Sequence, residues 1–283
     1  MSWFKRTVAL IRRKPKRRLS SSAMLTRDGK GAPIPPYKPQ GMESMRDGSE
    51  ARWIKEGLWS SGRTAGFEGF RLGCLVPEGF AAYARVLHPA SLRTEQGHEP
   101  VRWSTVASWT GRTVHPNMQF ELIAELSERQ PYQFEPPLWG VRPEQGTFPS
   151  FECRATAEAL REFTSTPGVC YFCVWEGFGM IDLESYKKAY RLEVPSRSYL
   201  VFRGPLEAIG SFIEPEWFGH AQSPNIWWPE DRAWCVATEI DMMDTYIGGS
   251  EECIQRILAH PDLESFPATI DARIDFFSDI LNG

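Results

Sequence analysis

Apolar and polar residues alternate in short blocks along this chain, and their spacing predicts a mixture of strands and helices. In the segment 78–87, apolar side chains recur three and four residues apart, which is typical of a helix that buries one face. Pro77 and Pro89 would mark the two ends of that helix. Largely apolar runs predict strands at 67–76, 169–175, 198–202 and 234–241. Further helices are predicted at 104–109, 117–129, 155–163, 205–213, 250–260 and 270–281, and Ser250 would cap the fifth of these.

The order of these elements predicts an α+β fold, with a mixed or largely antiparallel sheet and flanking helices, because the regular spacing of repeated βαβ units is missing. We expect a basic tail at 1–28, a Pro- and Gly-rich linker at 29–49 and a single globular domain at 50–283. Two lobes divided near the proline-rich loop at 131–149 are the alternative. Gly248-Gly249 predicts a turn. No apolar run reaches 18 residues, which argues against a transmembrane helix.

The tail is strongly basic. Residues 1–30 hold ten Lys or Arg and one Asp, a balance of +9, whereas the remaining residues hold 22 bases and 35 acids, a balance of −13. On a helix its apolar side chains would share one face, the pattern of a helix that lies in a membrane interface. The residues expected to contact an anionic membrane or a nucleic acid are Trp3, Phe4, Lys5, Arg6, Arg12, Arg13, Lys14, Lys16, Arg17 and Arg18. The alternatives are a disordered polyanion-binding tail, an organellar transit peptide, and a later translation start at Met24 or Met42 that would leave residues 1–23 out of the mature protein.

Six cysteines without a secretory signal favour a reduced, cytoplasmic setting. Cys170 and Cys173 have the C-x-x-C spacing of zinc and redox sites, but residues three apart on a strand point to opposite faces of the sheet. We therefore expect two buried thiols, and the sequence predicts no metal and no cofactor. Phosphate-binding loops, dinucleotide-binding glycine motifs and G-x-S-x-G elbows are also missing from the sequence.

Carboxylates cluster at 238–244. On a strand, Glu239 and Asp241 would share one face, where two carboxylates can act as an acid–base pair or bind a hard cation. Asp244 follows closely, and His220 lies in a Gly- and aromatic-rich loop. A catalytic reading would therefore combine His220, Glu239, Asp241 and Asp244. The alternative reading is a solvated outer face of a strand.

Tryptophan is unusually frequent, with 11 in the chain, and Trp217, Trp227, Trp228 and Trp234 fall within 18 residues. If this segment is extended, the rings of Trp227 and Trp228 point in opposite directions, so we expect at most one of them to be fully buried. The other would lie in a groove or at the surface, where Trp often anchors binding. The alternative is that these rings fill the core. The expected binding residues are Trp217, Trp227, Trp228, Glu230, Asp231, Glu239 and Asp241, the acidic ones steering a basic partner.

Two stretches resemble uncharacterised proteins of high-GC Gram-positive bacteria. The first is Gly-Cys-Leu-Val-Pro-Glu-Gly-Phe at 73–80 with the following His-Pro at 88–89, and the second runs from Ser-Pro-Asn-Ile-Trp-Trp-Pro at 223–229 to Gly-Gly-Ser at 248–250. This resemblance implies a bacterial source and transfers no activity. The Leu-Val-Pro-Glu-x-Phe motif at 75–80 is also similar to SUKH immunity domains, which implies an α+β module that binds toxins or other proteins.

These observations predict a cytoplasmic protein-binding or regulatory module, immunity-like and without catalytic activity. Its partner would be a protein, and the acidic body would favour a basic one. One alternative is a hydrolase with its carboxylate and histidine site beneath the Trp-rich loop. The other is a peripheral membrane protein held by the basic N-terminal helix.

Overall fold

An antiparallel sheet organises the protein. The computed structural model describes residues 38–60, 69–125, 139–178, 181–213 and 222–283. The strands are β1 (Glu43–Ser44), β2 (Ala82–Leu87), β3 (Ala90–Thr94), β4 (Gly97–Val101), β5 (Cys170–Trp175), β6 (Arg191–Val194), β7 (Arg197–Gly204), β8 (Ile226–Pro229), β9 (Cys235–Ala237), β10 (Asp244–Gly249) and β11 (Ser265–Ala268). Within the described ranges, nine of these strands form one sheet in the order β1-β7-β5-β8-β9-β10-β2-β11, with β6 paired to β7, and the neighbours are antiparallel. Strands β3 and β4 form a separate hairpin.

Both faces of the sheet are covered. The helices are α1 (Arg52–Gly57), α2 (Trp103–Thr110), α3 (Phe120–Ile123), α4 (Ser150–Leu160), α5 (Gly210–Ile213) and α6 (Glu251–Leu258). One face packs against α4, α5 and α6, and the other packs against α1 together with the segments 70–76 and 270–274. Because neither face meets water, a central strand such as β5 is apolar at consecutive positions.

A third core lies beside the sheet, between the β3–β4 hairpin and the helices α2 and α3. Trp103 and Phe120 fill it, with their ring centroids 5.4 Å apart. Trp103 Nε1 donates a hydrogen bond to the carbonyl of His88, at the end of β2. This bond fastens α2 to the sheet.

The α+β class is confirmed, and so are several elements. Strands β5 and β7 lie where apolar runs predicted them, and α2, α4 and α6 lie within or close to the predicted helical segments. Ser250 caps α6 by accepting a hydrogen bond from the backbone N–H of Cys253. These elements follow from signals that are local in the chain.

The prediction of a helix at 78–87 is wrong, because residues Ala82–Leu87 form β2, between β10 and β11. Tyr83 enters one core and Ala84 enters the core on the opposite face. A strand buried on both faces has no alternation of apolar and polar residues to reveal it. The helical spacing of its apolar side chains was therefore a coincidence.

The C-terminal segment 270–281 was predicted as a helix and contains none. Asp275 and Asp279 accept hydrogen bonds from the backbone N–H groups of Phe277 and Leu281, two residues ahead. Such local bonds satisfy the backbone in turns and compete with a helix.

Three further predictions are also wrong. Gly248 and Gly249 lie inside β10, not in a turn, and a Cβ at Gly248 would come within 2.5 Å of the Phe80 ring. In place of a strand at 67–76, the described part of that segment carries a 3-10 turn at Leu72–Cys74. The predicted helix at 117–129 is reduced to α3 within the described residues, because the chain turns at His115–Met118 and the carbonyls of Pro116 and Met118 accept hydrogen bonds from Arg85 Nη1.

The ordered structure begins before Glu50. Strand β1 pairs with β7, and the backbone N–H of Met45 donates to the carbonyl of Val201 over 2.8 Å. The residues 43–45, in the segment predicted as a linker, therefore lie at the edge of the sheet. The basic tail and residues 29–37 lie outside the described residues.

Candidate functional site

The tryptophans of the predicted binding segment are core residues. Trp227 and Trp228 point to opposite faces of β8, as expected, but both are completely buried. Trp227 packs against Trp234, and Trp228 stacks on Tyr171 with ring centroids 5.5 Å apart. The expectation that one ring would reach the surface is wrong, because a second layer of chain covers each face of the sheet. Trp217 lies outside the described residues.

Two of the three clustered carboxylates meet at one arginine. Arg197 Nη2 donates to Glu239 Oε1 over 2.7 Å and to Asp241 Oδ2 over 2.8 Å, and its guanidinium lies over the ring of Trp175. Burial disfavours the charged guanidinium, but Glu239 and the other negatively charged neighbours, Asp241 among them, together outweigh burial and raise the pKa of Arg197. Glu239 is almost fully buried, whereas Asp241 is partly exposed. The two carboxylates of the predicted acid–base pair therefore form ion pairs with Arg197, and these ion pairs join β7 to the turn that follows β9.

The predicted catalytic set does not assemble within the described residues. Asp244 is held by a different arginine, Arg85, and His220 lies outside the described residues. Of the four acidic residues expected to steer a basic partner, the remaining two, Glu230 and Asp231, lie in the turn after β8. Asp231 accepts hydrogen bonds from Thr164 and Ser165 and so fixes a neighbouring loop, while Glu230 is exposed.

The cysteines of the C-x-x-C motif are buried on opposite faces of β5, as predicted. Burial raises the pKa of Cys170 to about 12 and that of Cys173 well above its ordinary value. Thiols in such an environment are protonated and poor nucleophiles. The described residues include no group of three or more side chains positioned to hold a metal ion.

The structure reveals a different candidate site at the start of β10. Of the residues that form it, the sequence analysis identified only Asp244. Arg85 faces Tyr246 across the β2–β10 ladder, and Asp244 lies on the same side two residues earlier. Arg85 Nε donates to Asp244 Oδ2 over 2.7 Å, and the guanidinium also lies 5.5 Å from the ring of Trp103. Arg85 is the single charged residue in the otherwise apolar run 82–87, and this is the sequence feature that points to the pair.

A small hollow opens beside this ion pair, with a volume of about 20 Å³. Its wall is largely aromatic and thioether, and its polar lining comes from Asp244, Gln119 and Glu121. The apolar lining residues are Trp103, Phe120, Met242, Met243, Ile274 and Phe276. A space of this size holds about one water-sized group.

The residues 275–283, which we call the C-terminal clasp, close one side of this hollow. Asp279 holds the clasp against the helices: it accepts hydrogen bonds from His115 Nε2 and from the backbone N–H of Gln119. Asn282 exchanges two hydrogen bonds with the backbone of Thr113. Burial would raise the pKa of Asp279, but the hydrogen bonds from Asn282 and Gln119 lower it below its ordinary value. The clasp is therefore fastened through buried polar contacts.

Large apolar side chains project from the fastened clasp into solvent. Ile280 is 82% exposed, and Phe276, Phe277 and Leu281 are about half exposed or more. Val114, also exposed, follows Thr113 and so lies next to the residue that anchors Asn282. We call Val114, Phe276, Phe277, Ile280 and Leu281 the clasp surface. Among the described residues it contains five of the six large hydrophobic side chains that are exposed, Phe151 on α4 being the sixth.

Comparison of the chain with protein-family models, with curated proteins and with solved structures returned no match. In the part of the chain that the structure describes, every helix is too short or too polar to span a bilayer. The site is therefore interpreted from its own geometry.

Proposed function

We propose that this protein is a cytoplasmic, non-catalytic binding module that docks another protein on the clasp surface. The observation that carries the proposal is the concentration of exposed apolar side chains at one place. Single exposed apolar residues are ordinary on protein surfaces, whereas clustered ones are typical of interaction sites. Here the cluster includes Phe277, 61% exposed, and Ile280, 82% exposed.

The hydrogen bonds that hold the C-terminal clasp against the rest of the protein support the same function. Apolar residues on a loose tail would lose conformational entropy on binding, which weakens association. Asp275 and Asp279 instead fix the backbone through hydrogen bonds to Gly69 and Gln119, which lie far away in the sequence. The apolar side chains are thus presented by a backbone that is ordered in advance.

The charge of the body favours a basic partner. Residues 31–283 carry 22 bases and 35 acids, so long-range attraction would speed the approach of a positively charged surface. The similarity of the motif at 75–80 to SUKH immunity domains supports a protein ligand as well. The anchors in this proposal are the clasp residues, and they replace the buried tryptophans.

Site-specific photo-crosslinking in cells that carry the gene tests this proposal. A benzophenone amino acid would replace Phe277 in one full-length protein and Phe151 in another. Phe151 is the matched control, since it is 60% exposed on α4, which packs on the face of the sheet opposite to the segment 270–274 that leads into the clasp. We expect one protein to be crosslinked from position 277 and not from position 151.

The crosslinked protein would then be purified and titrated against three full-length proteins. The double variant Phe277→Asp/Ile280→Asp should bind it at least about tenfold more weakly than the wild type, because loss of apolar interface anchors typically has that effect. Phe151→Asp should bind like the wild type. Equal binding by all three proteins, or crosslinks only to a second copy of this chain, would overturn the proposal.

A further inference from the structure

We propose that the hollow beside Asp244 binds a primary ammonium group, supplied by a lysine side chain of the docked protein. The lysine assignment rests on the proposed function, whereas the ammonium chemistry rests on the hollow itself. The inference therefore specifies what the partner presents beside its apolar contact.

A buried carboxylate oxygen with no protein donor is the first step of the argument. The Asp244 side chain is 4% exposed, and Arg85 Nε and Nη2 both approach its Oδ2. Tyr246 donates to the same oxygen over 3.4 Å. Within the part of the chain that the structure describes, Asp244 Oδ1 receives no hydrogen bond. A buried charged acceptor without a donor is costly, so Oδ1 favours a cationic donor in the hollow that Asp244 lines.

The wall of the hollow matches a small cation. Trp103, Phe120 and Phe276 bring aromatic rings to it, and aromatic faces attract ammonium groups. Its volume of about 20 Å³ accommodates a group of the size of a water molecule. An ammonium group has that size, whereas the planar guanidinium of arginine is larger.

The position of the hollow links it to the docking surface. Phe276 lines the hollow and also belongs to the clasp surface. A lysine flanked by apolar residues on a partner would therefore reach Asp244 while its neighbours cover the clasp. The stem of the lysine would pack along the aromatic wall.

Titration of the full-length protein with n-butylammonium, followed in ¹H–¹⁵N spectra, tests the hollow without any partner. The reporters are the indole N–H of Trp103 and the backbone N–H groups of Met243 and Asp244. We expect saturable shifts at these three signals with n-butylammonium and none with n-butanol, its neutral analogue. Equal shifts with both probes, or no saturable shift with n-butylammonium, would overturn the proposal.

Two variants sharpen the test. Asp244→Asn removes the charge and keeps the shape, so n-butylammonium should bind about tenfold more weakly or not at all. Asp241→Asn is the control, because that carboxylate is paired with Arg197 and should leave the affinity unchanged. If Asp244→Asn does not fold, the comparison of ammonium with alcohol on the wild type decides the question.

The two proposals can be refuted independently. If n-butylammonium does not bind but a partner is still captured on the clasp surface, only the proposed ammonium site is refuted. Binding of n-butylammonium with no partner on the clasp would leave the hollow as a site for small amines and would remove the docking function.

Discussion

At the scale of single residues, His88 shows how burial fixes a protonation state. The ring is completely buried at the end of β2. Its Nδ1 lies 2.7 Å from the carbonyl oxygen of Glu144, which can only accept, so this nitrogen carries the proton. Nε2 then accepts from the hydroxyl of Thr245, and that hydroxyl accepts from Thr238. Burial outweighs the bond to Glu144 and lowers the pKa of His88 to about 4.

A pH dependence of stability follows from His88. In the unfolded chain the imidazole protonates near its ordinary pKa of 6.5, but in the folded protein only near 4, so between these values the unfolded state binds the additional proton. Stability is therefore lost as pH falls through this window, by about 3 kcal/mol from this residue.

Urea unfolding at a series of pH values, on the wild type and on His88→Gln, measures this contribution. The variant should be less stable at pH 7, because the polar chain through Thr245 is broken, but its stability should fall less steeply between about pH 6.5 and 4. The same slope in both proteins would contradict the assignment of a buried neutral imidazole.

At the scale of elements, two helices are capped in different ways. Helix α6 begins with Ser250, whose hydroxyl accepts from the N–H of Cys253. Helix α2 has no side-chain cap of its own; the carboxylate of Glu264, 160 residues later, accepts from the N–H groups of Trp103 and Ser104. Glu264 precedes β11, so the cap joins α2 to the edge of the sheet.

We expect Glu264→Ala to cost about 2 kcal/mol, since it leaves two partly buried N–H groups without a charged acceptor. Ser250→Ala should cost about 1 kcal/mol, the usual effect of losing a cap. Both values come from urea unfolding. Glu264→Gln, which keeps one acceptor, should be intermediate, and Ser250→Asp should be close to the wild type. A Glu264→Ala protein as stable as the wild type would show that the remote cap contributes nothing.

At the scale of the whole molecule, the C-terminal clasp joins parts of the chain that are distant in sequence. Asp275 accepts from the N–H of Gly69, and Asp279 from His115 and from the N–H of Gln119. The clasp thus holds the third core beside the sheet, and it shapes the hollow at Asp244.

Asp279→Ala should therefore loosen the clasp and the α2–α3 region while the sheet persists. We expect a loss of about 3 kcal/mol, because several buried donors lose their acceptor together. Hydrogen exchange should speed up at 112–121 and 276–282, and not in β5 or β7. The double variant Phe277→Asp/Ile280→Asp changes two exposed side chains and removes the contact of Arg273 with the Phe277 ring, so it should alter stability by no more than about 1 kcal/mol. Uniformly faster exchange throughout Asp279→Ala would show that the clasp is part of a single cooperative core.

An element was predicted correctly where the residues that specify it are close together in the sequence, and it was missed where distant segments decide its structure. The apolar run of β5 and the serine cap of α6 are local, and both were predicted correctly. The strand β2 was missed because its pattern depends on two covering layers, and the clasp was missed because carboxylates at 275 and 279 resemble one face of a helix. For the site, the sequence singled out Asp244, but its partner Arg85 is brought to it only by the pairing of β2 with β10.

The sequence by itself determined the α+β class, the opposite orientation of Trp227 and Trp228 and the burial of the Cys170–Cys173 pair, since strand alternation and capping act over a few residues. Only the tertiary structure decided that both tryptophans are buried, that Asp244 pairs with Arg85, and that the clasp keeps its apolar side chains in solvent. Exposure and pairing depend on which distant segments cover a residue, and the order of residues in a short window does not contain that information.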